Sequence, residues 1–155
     1  MPGPKIGRVV KDFTATTTGD QRVRLKDLRG GKVVIYFYPK DATPGCTTEG
    51  RDFRDLSEKF RRTETTIFGV SRDSVASHEK FKEKQGFPFA LISDENGKLC
   101  EYFDVIKEKN MYGRKYMGIE RSTFLIDEHG KLREEWRKVR VKGHAAAVLE
   151  AAKLL

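Results

Sequence analysis

Cysteine is scarce in this chain, with two residues in 155 and no C-x-x-C pair. That count excludes a disulfide framework, and the missing pair removes both the usual zinc-knuckle spacing and a dithiol redox motif. Long apolar runs are missing as well. Nothing approaches membrane-spanning length, and the opening MPGPKIGRVV lacks the apolar core of a signal peptide. A soluble, cytoplasmic protein with no membrane partner is expected. The three histidines, His78 on a polar helix, His129 in a turn and His144 at a helix start, share no ligand spacing, so neither a metal nor another cofactor is expected. The single tryptophan, Trp136, reads as strand packing. No repeat, low-complexity tract or linker divides the chain, and its length suits one domain over residues 1–155.

Charge, by contrast, is plentiful. Lysine and arginine number 31 against 23 acidic residues, a formal charge of +8, which favours anionic partners and weak nonspecific binding to nucleic acid. The bases are interleaved with acids, as in RDFRDLSEKFRR, and form no stripe with stacking aromatics. They read as solvated helix faces, and no specific nucleic-acid partner is expected.

The stretch VVIYFYPKDATPGCTTEGR, residues 33–51, organises the rest. Val33 to Tyr38 is an unbroken β-branched and aromatic run, the pattern of a strand buried on both faces. Thr43, Pro44 and Gly45 then read as N-cap, first and second positions of a helix. Cys46 falls in its first turn, where free N–H groups and partial positive charge favour a thiolate. As N-cap, Thr43 is expected to aim its hydroxyl at the backbone N–H of Cys46. From residue type alone, a small buried cysteine is the commoner outcome.

Elsewhere, residues 12–28 predict a hairpin turning at Thr18-Gly19-Asp20 and ending in a short helical piece. Phe53, Leu56 and Phe60 form an apolar stripe on the helix opened at Thr43. Thr65 to Ser71 predicts a second buried strand, and Ser74 to Gln85 a polar helix stopped by Gly86. A strand over residues 89–93, a turn at 94–97 and a short helix carrying Leu99, Cys100 and Phe103 follow. Lys107 to Glu120 has no clean period and predicts a long loop. Residues 121–127 and 131–139 predict a hairpin, and 144–155 a closing helix. This order implies an α/β sandwich with a sheet of mixed direction.

The spacing Pro39-x-x-x-Thr43-x-x-Cys46, after an apolar strand and opening a helix, resembles the active-site loop of peroxiredoxins. FYPKDATPGCTTEGRDFRD is similar to their bacterioferritin-comigratory, or peroxiredoxin Q, group. The likeness continues through FPFALISDENGK and MYGRKYMGIERSTFLID and covers nearly the whole chain. It implies a thioredoxin-like α/β fold, a central mixed β-sheet flanked by helices, with an N-terminal β-hairpin extension. It further implies a thiol peroxidase for hydrogen peroxide and small alkyl hydroperoxides, often monomeric. Cys46 would be the peroxidatic cysteine, and Thr43, Pro39 and Arg121 would complete the peroxide-binding constellation.

Sulfur attack on one peroxide oxygen drives negative charge onto the other, so donors must be aimed there. The Cys46 N–H, the Thr43 hydroxyl and the planar fork of Arg121 form such a set, and Pro39 would shield the sulfur from water. Glu49, three residues beyond Cys46, lies near the same side of the helix but is as consistent with solvent exposure, and it is not assigned to the catalytic set. Many relatives carry a resolving cysteine five residues after the peroxidatic one, where this chain has Arg51, and others carry it in the next helix, where residues 74–85 have none. Cys100 is the only other thiol, on a segment that reads as core-facing. A one-cysteine mechanism is therefore expected, with the sulfenic acid taken by an external thiol such as glutathione, glutaredoxin or thioredoxin. The alternatives are Cys100 as resolving thiol, a peroxide sensor or holdase on the same fold, and a basic interaction domain that has kept the fold without the chemistry.

Overall fold

The computed structural model describes residues 3–155, so Met1 and Pro2 of the expected 1–155 domain lie outside the described residues. A hairpin of β1 (Thr14–Thr17) and β2 (Gln21–Arg24) leads through a 3-10 turn, Leu25–Leu28, into β3 (Lys32–Phe37). Then follow α1 (Pro44–Arg62), β4 (Thr65–Ser71), α2 (Val75–Gln85), β5 (Ala90–Ser93) and α3 (Lys98–Tyr102). The chain continues through β6 (Ile106–Met111), β7 (Arg114–Ile119), β8 (Ser122–Ile126), β9 (Leu132–Trp136) and α4 (His144–Lys153). Seven strands form one sheet in the order β2-β1-β5-β4-β3-β8-β9. Its β3, β4 and β5 are parallel and the remaining pairs antiparallel, which is the mixed sheet expected.

Strand β3 sits centrally because its side chains are apolar on both faces. Val33, Ile35 and Phe37 enter a core with Phe103, Phe124 and Cys100. Val34, Tyr36 and Tyr38 enter the opposite core, beneath α1 and α4, with Phe53, Phe60, Val148 and Cys46. The stripe on α1 performs as its spacing implies. Phe53 is fully buried and stacks on Tyr36 with ring centroids 4.6 Å apart; truncating such a ring typically costs about 3–5 kcal/mol. Gly50, in the middle of α1, makes room for a ring from elsewhere, since a Cβ there would lie 2.3 Å from Cζ of Phe87.

Helix α2 is capped as its sequence indicates. The Ser74 hydroxyl accepts from the Ser77 N–H, and Gly86 closes the helix in the left-handed conformation at φ 66°. Residues 107–120 differ from expectation, forming most of a two-stranded hairpin, β6 with β7, rather than a loop. Tyr112 (φ 53°) and Gly113 (φ 79°) make its two-residue turn, as primed hairpin turns require. The hairpin stands apart from the main sheet, so most of its residues are exposed and period-two alternation is lost. Among the described residues, no helix is long and apolar enough to cross a membrane.

Candidate active site

Helix α1 begins beyond the C-terminal end of β3, after a loop anchored by Asp41. That carboxylate is buried, accepting from the Tyr38 hydroxyl at 2.6 Å and the Ser77 hydroxyl at 2.8 Å. His78 Nδ1 lies 2.6 Å from it, and the other ring nitrogen donates to the Ile92 carbonyl at 2.9 Å. The loop is thereby fastened to the start of α2 and to β5. Asp41, Asp73 and His78 hold three potential metal-ligand atoms within 4.8 Å, and their mutual bonds with Tyr38, Ser71 and Ser77 already engage those atoms. Sequence reasoning placed His78 on a polar helix; it is fully buried. The signal was available only as a pair, because neither residue is unusual for its own segment.

Thr43 is the N-cap of α1 by backbone geometry, at φ −79° and ψ 155°, but its side chain does not cap. The hydroxyl donates to the Lys40 carbonyl at 2.8 Å instead of meeting the Cys46 N–H. That corrects the expected orientation. The hydrogen is committed to the loop, leaving oxygen lone pairs for anything that approaches from outside. Pro39 is exposed and lines a cleft between this loop and the β6–β7 hairpin.

Cys46 lies in the first turn of α1 and is only 2% exposed. Arg121, just before β8, reaches it: one guanidinium nitrogen, Nη2, lies 3.5 Å from Sγ, and the other, Nη1, donates to Glu49 Oε1 at 2.6 Å. Glu49, left unassigned from sequence, is 1% exposed, so the solvent-facing alternative does not hold. Its second oxygen, Oε2, is buried without a hydrogen-bond partner. Burial pushes the Glu49 carboxyl up to about 7 against the opposing pull of Arg121. Burial acts to lower the pKa of Arg121, but Glu49 and Cys46 outweigh it and hold the group above the ordinary arginine range. Sulfur, guanidinium and buried carboxyl thus form one row.

Residues 6–135 match the AhpC/TSA family. The chain belongs to that family, in its peroxiredoxin Q group. It is 52% identical to Peroxiredoxin Bcp of Bacillus subtilis over 149 residues, 96% of this chain and 95% of that protein. Identity to the Xanthomonas campestris Peroxiredoxin Bcp is 55% over 142 residues, covering 92% and 89%. Among solved structures, Xylella fastidiosa PrxQ superposes with a TM-score of 0.93 at 45% identity, covering 99% of this chain and 98% of that one. The peroxiredoxin fold is therefore the one expected, including the mixed sheet and the leading hairpin.

In this peroxiredoxin the second thiol is far from equivalent. Cys100, on α3, is fully buried in the core that takes Val33, Ile35 and Phe37, whereas Cys46 belongs to the core on the other side of β3. Burial, reinforced by the neighbouring Asp94, pushes the Cys100 thiol far above the ordinary range. Asp94 also accepts from the Leu99 and Cys100 backbone N–H groups, pinning the start of α3. Arg51 donates to the Gln85 side chain and links α1 to α2. His144 is buried against Thr123 and between the rings of Phe53 and Trp136. Its pKa is lowered to about 4, chiefly by burial and then by Arg121.

Proposed function

We propose that this chain is a thiol peroxidase that reduces hydrogen peroxide and small alkyl hydroperoxides through a sulfenic acid on Cys46. The observation that carries the reading is the guanidinium of Arg121 held 3.5 Å from the Cys46 sulfur at a helix N-terminus. A permanent cation beside the sulfur is placed to stabilise the negative charge that grows on a peroxide's departing oxygen. Kinship points the same way, since the Xanthomonas campestris bacterioferritin comigratory protein, 54% identical over 92% of this chain, has alkyl peroxide reduction activity.

In the step itself, the thiolate forms a bond to the hydroxyl-bearing oxygen of the peroxide while the O–O bond breaks. Sulfur is oxidised to the sulfenic acid, and the departing oxygen takes the electron pair. Thr43 presents lone pairs because its hydrogen is held by Lys40, so it accepts from the peroxide O–H and orients it. Arg121 stabilises the growing charge. Glu49 holds the guanidinium in register, a positioning role, and Pro39 restricts water at the rim.

Cys46 and Cys100 enter cores on opposite sides of β3, which favours one-cysteine chemistry. The sulfenic acid then condenses with an external thiol, from thioredoxin, glutaredoxin or glutathione, and a second thiol releases the reduced enzyme as a disulfide of the donor. On this reading residues 1–155 act as one monomeric, cytoplasmic domain. Steady-state peroxide consumption with each donor tests the proposal. Turnover that disappears in Cys46→Ser supports it; stoichiometric oxidation without turnover by any thiol donor would favour a sensor.

A further inference from the structure

The lone pairs that Thr43 offers depend on a single peptide unit. The Thr43 hydroxyl gives its hydrogen to the Lys40 carbonyl at 2.8 Å. On the other edge of the same Lys40–Asp41 peptide, the Asp41 N–H donates to Asp73 Oδ2 at 3.0 Å. A trans peptide is rigid and planar, with its C=O and N–H pointing opposite ways, so whatever fixes the direction of the N–H also aims the carbonyl.

Asp73, between β4 and α2, is itself firmly held. The Ser71 hydroxyl donates to the same Oδ2 at 2.5 Å, the Asp73 N–H donates back to Ser71 Oγ at 3.1 Å, and the Ser93 hydroxyl donates to the Asp73 carbonyl at 2.6 Å. The Asp41 side chain is fastened separately, to Tyr38, Ser77 and His78. Those bonds fix where the loop lies but leave the 40–41 peptide free to turn about the axis joining its Cα atoms, and the bond to Asp73 sets its plane. Ala42 then sits at φ 62°, a left-handed conformation that alanine rarely adopts. It turns the chain back so that Thr43 meets the Lys40 carbonyl, and such strain persists only while the surrounding bonds enforce it.

We propose that Asp73 is a positioning residue of the Cys46 site: through the Lys40–Asp41 peptide it orients the Thr43 hydroxyl so that oxygen lone pairs, rather than hydrogen, face the peroxide. The assignment rests on the peroxidase reading. Without the Asp73 acceptor the peptide is free to rotate, the Lys40 carbonyl turns away, and Thr43 loses the partner that takes its hydrogen.

The test is a double-mutant cycle. Second-order rates of Cys46 oxidation by hydrogen peroxide are measured for wild type, Asp73→Ala, Thr43→Val and the double variant. Each is divided by the rate of Cys46 alkylation by iodoacetamide, a reaction that makes no use of a lone pair on Thr43, so changes in thiolate fraction or in access to the sulfur cancel. The expected normalised losses are roughly tenfold for Asp73→Ala and roughly 100-fold for Thr43→Val, with the double variant within about twofold of Thr43→Val. Asp73→Asn keeps an oxygen acceptor and should stay within about threefold of wild type. Should Asp73→Ala fail to fold, Asp73→Ser, one bond too short to reach the Asp41 N–H, carries the same expectations. Losses that multiply in the double variant, an unchanged normalised rate in either single variant, or a loss as large in Asp73→Asn would each overturn the assignment while fast wild-type oxidation kept the peroxidase reading. Wild-type oxidation no faster than that of free cysteine would overturn both.

Discussion

Gly45 and Arg121 compete for the same space, since a Cβ on Gly45 would lie 3.1 Å from Nη2 of Arg121, the nitrogen that faces the Cys46 sulfur. Glycine near a helix start ordinarily concedes up to about 1 kcal/mol to alanine. Here its bareness lets the guanidinium in. Gly45→Ala is expected to leave thermal stability equal or slightly raised while slowing Cys46 oxidation roughly tenfold, as a small displacement of a catalytic group does. A thermal melt beside a stopped-flow oxidation rate checks it, and unchanged oxidation would refute the close approach.

On the peroxidase reading, arginine at 121 serves through its fork as well as its charge, since it bridges Glu49 and Cys46 together. Arg121→Lys keeps the charge and cannot reproduce both contacts. Oxidation of Cys46 should fall by roughly 10²-fold, the scale for losing one oriented donor. A lysine variant at wild-type rate would show that charge alone suffices.

Glu49 and His144 make opposing contributions to stability over nearly the same pH range. The Glu49 carboxyl rises from an ordinary 4.5 to about 7 on folding. Between those values the folded state binds more protons than the unfolded, so stability falls as pH rises. His144 drops from 6.5 to about 4, so between those values the unfolded state binds more protons and stability rises with pH. The wild type should therefore have a nearly flat profile between about pH 4.5 and 6.5 from these two groups. Glu49→Gln should expose a rising profile and His144→Gln a falling one, each spanning a few kcal/mol. Denaturant titrations at several pH values check both signs.

Cys100→Ala should destabilise the fold by roughly 1–2 kcal/mol, because it removes a fully buried sulfur from a packed core. The rate at which Cys46 is oxidised should not change. A slower first oxidation in this variant would give Cys100 a part in the peroxide step.

Much of this fold is legible in the sequence because the decisive signals are local. Val33–Tyr38 and Thr65–Ser71 read as buried strands from composition alone, and Ser74 and Gly86 mark both ends of α2. The β6–β7 hairpin was hidden because it lies off the main sheet, with few buried residues to impose alternation and a Tyr-Gly turn in place of the usual Asn-Gly or Asp-Gly. Cys46 and Thr43 stand out through motif spacing, and Arg121 only through the resemblance of ERSTFLID to the family. The orientation of the Thr43 hydroxyl does not, since Lys40 offers an acceptor that no spacing rule anticipates. Glu49 and the Asp41–His78 pair were ambiguous for a related reason: a charged residue on a helix looks solvated until the packing of a second element, here β8 or the β3–α1 loop, shows otherwise.

The most direct test of the account is intact-mass analysis of the reduced protein after one equivalent of hydrogen peroxide, with Cys46→Ser and Cys100→Ala beside it. Gain of one oxygen that requires Cys46 and persists without Cys100 is the predicted result. Loss of two hydrogens in a monomer, abolished by either substitution, would establish a Cys46–Cys100 disulfide and contradict it.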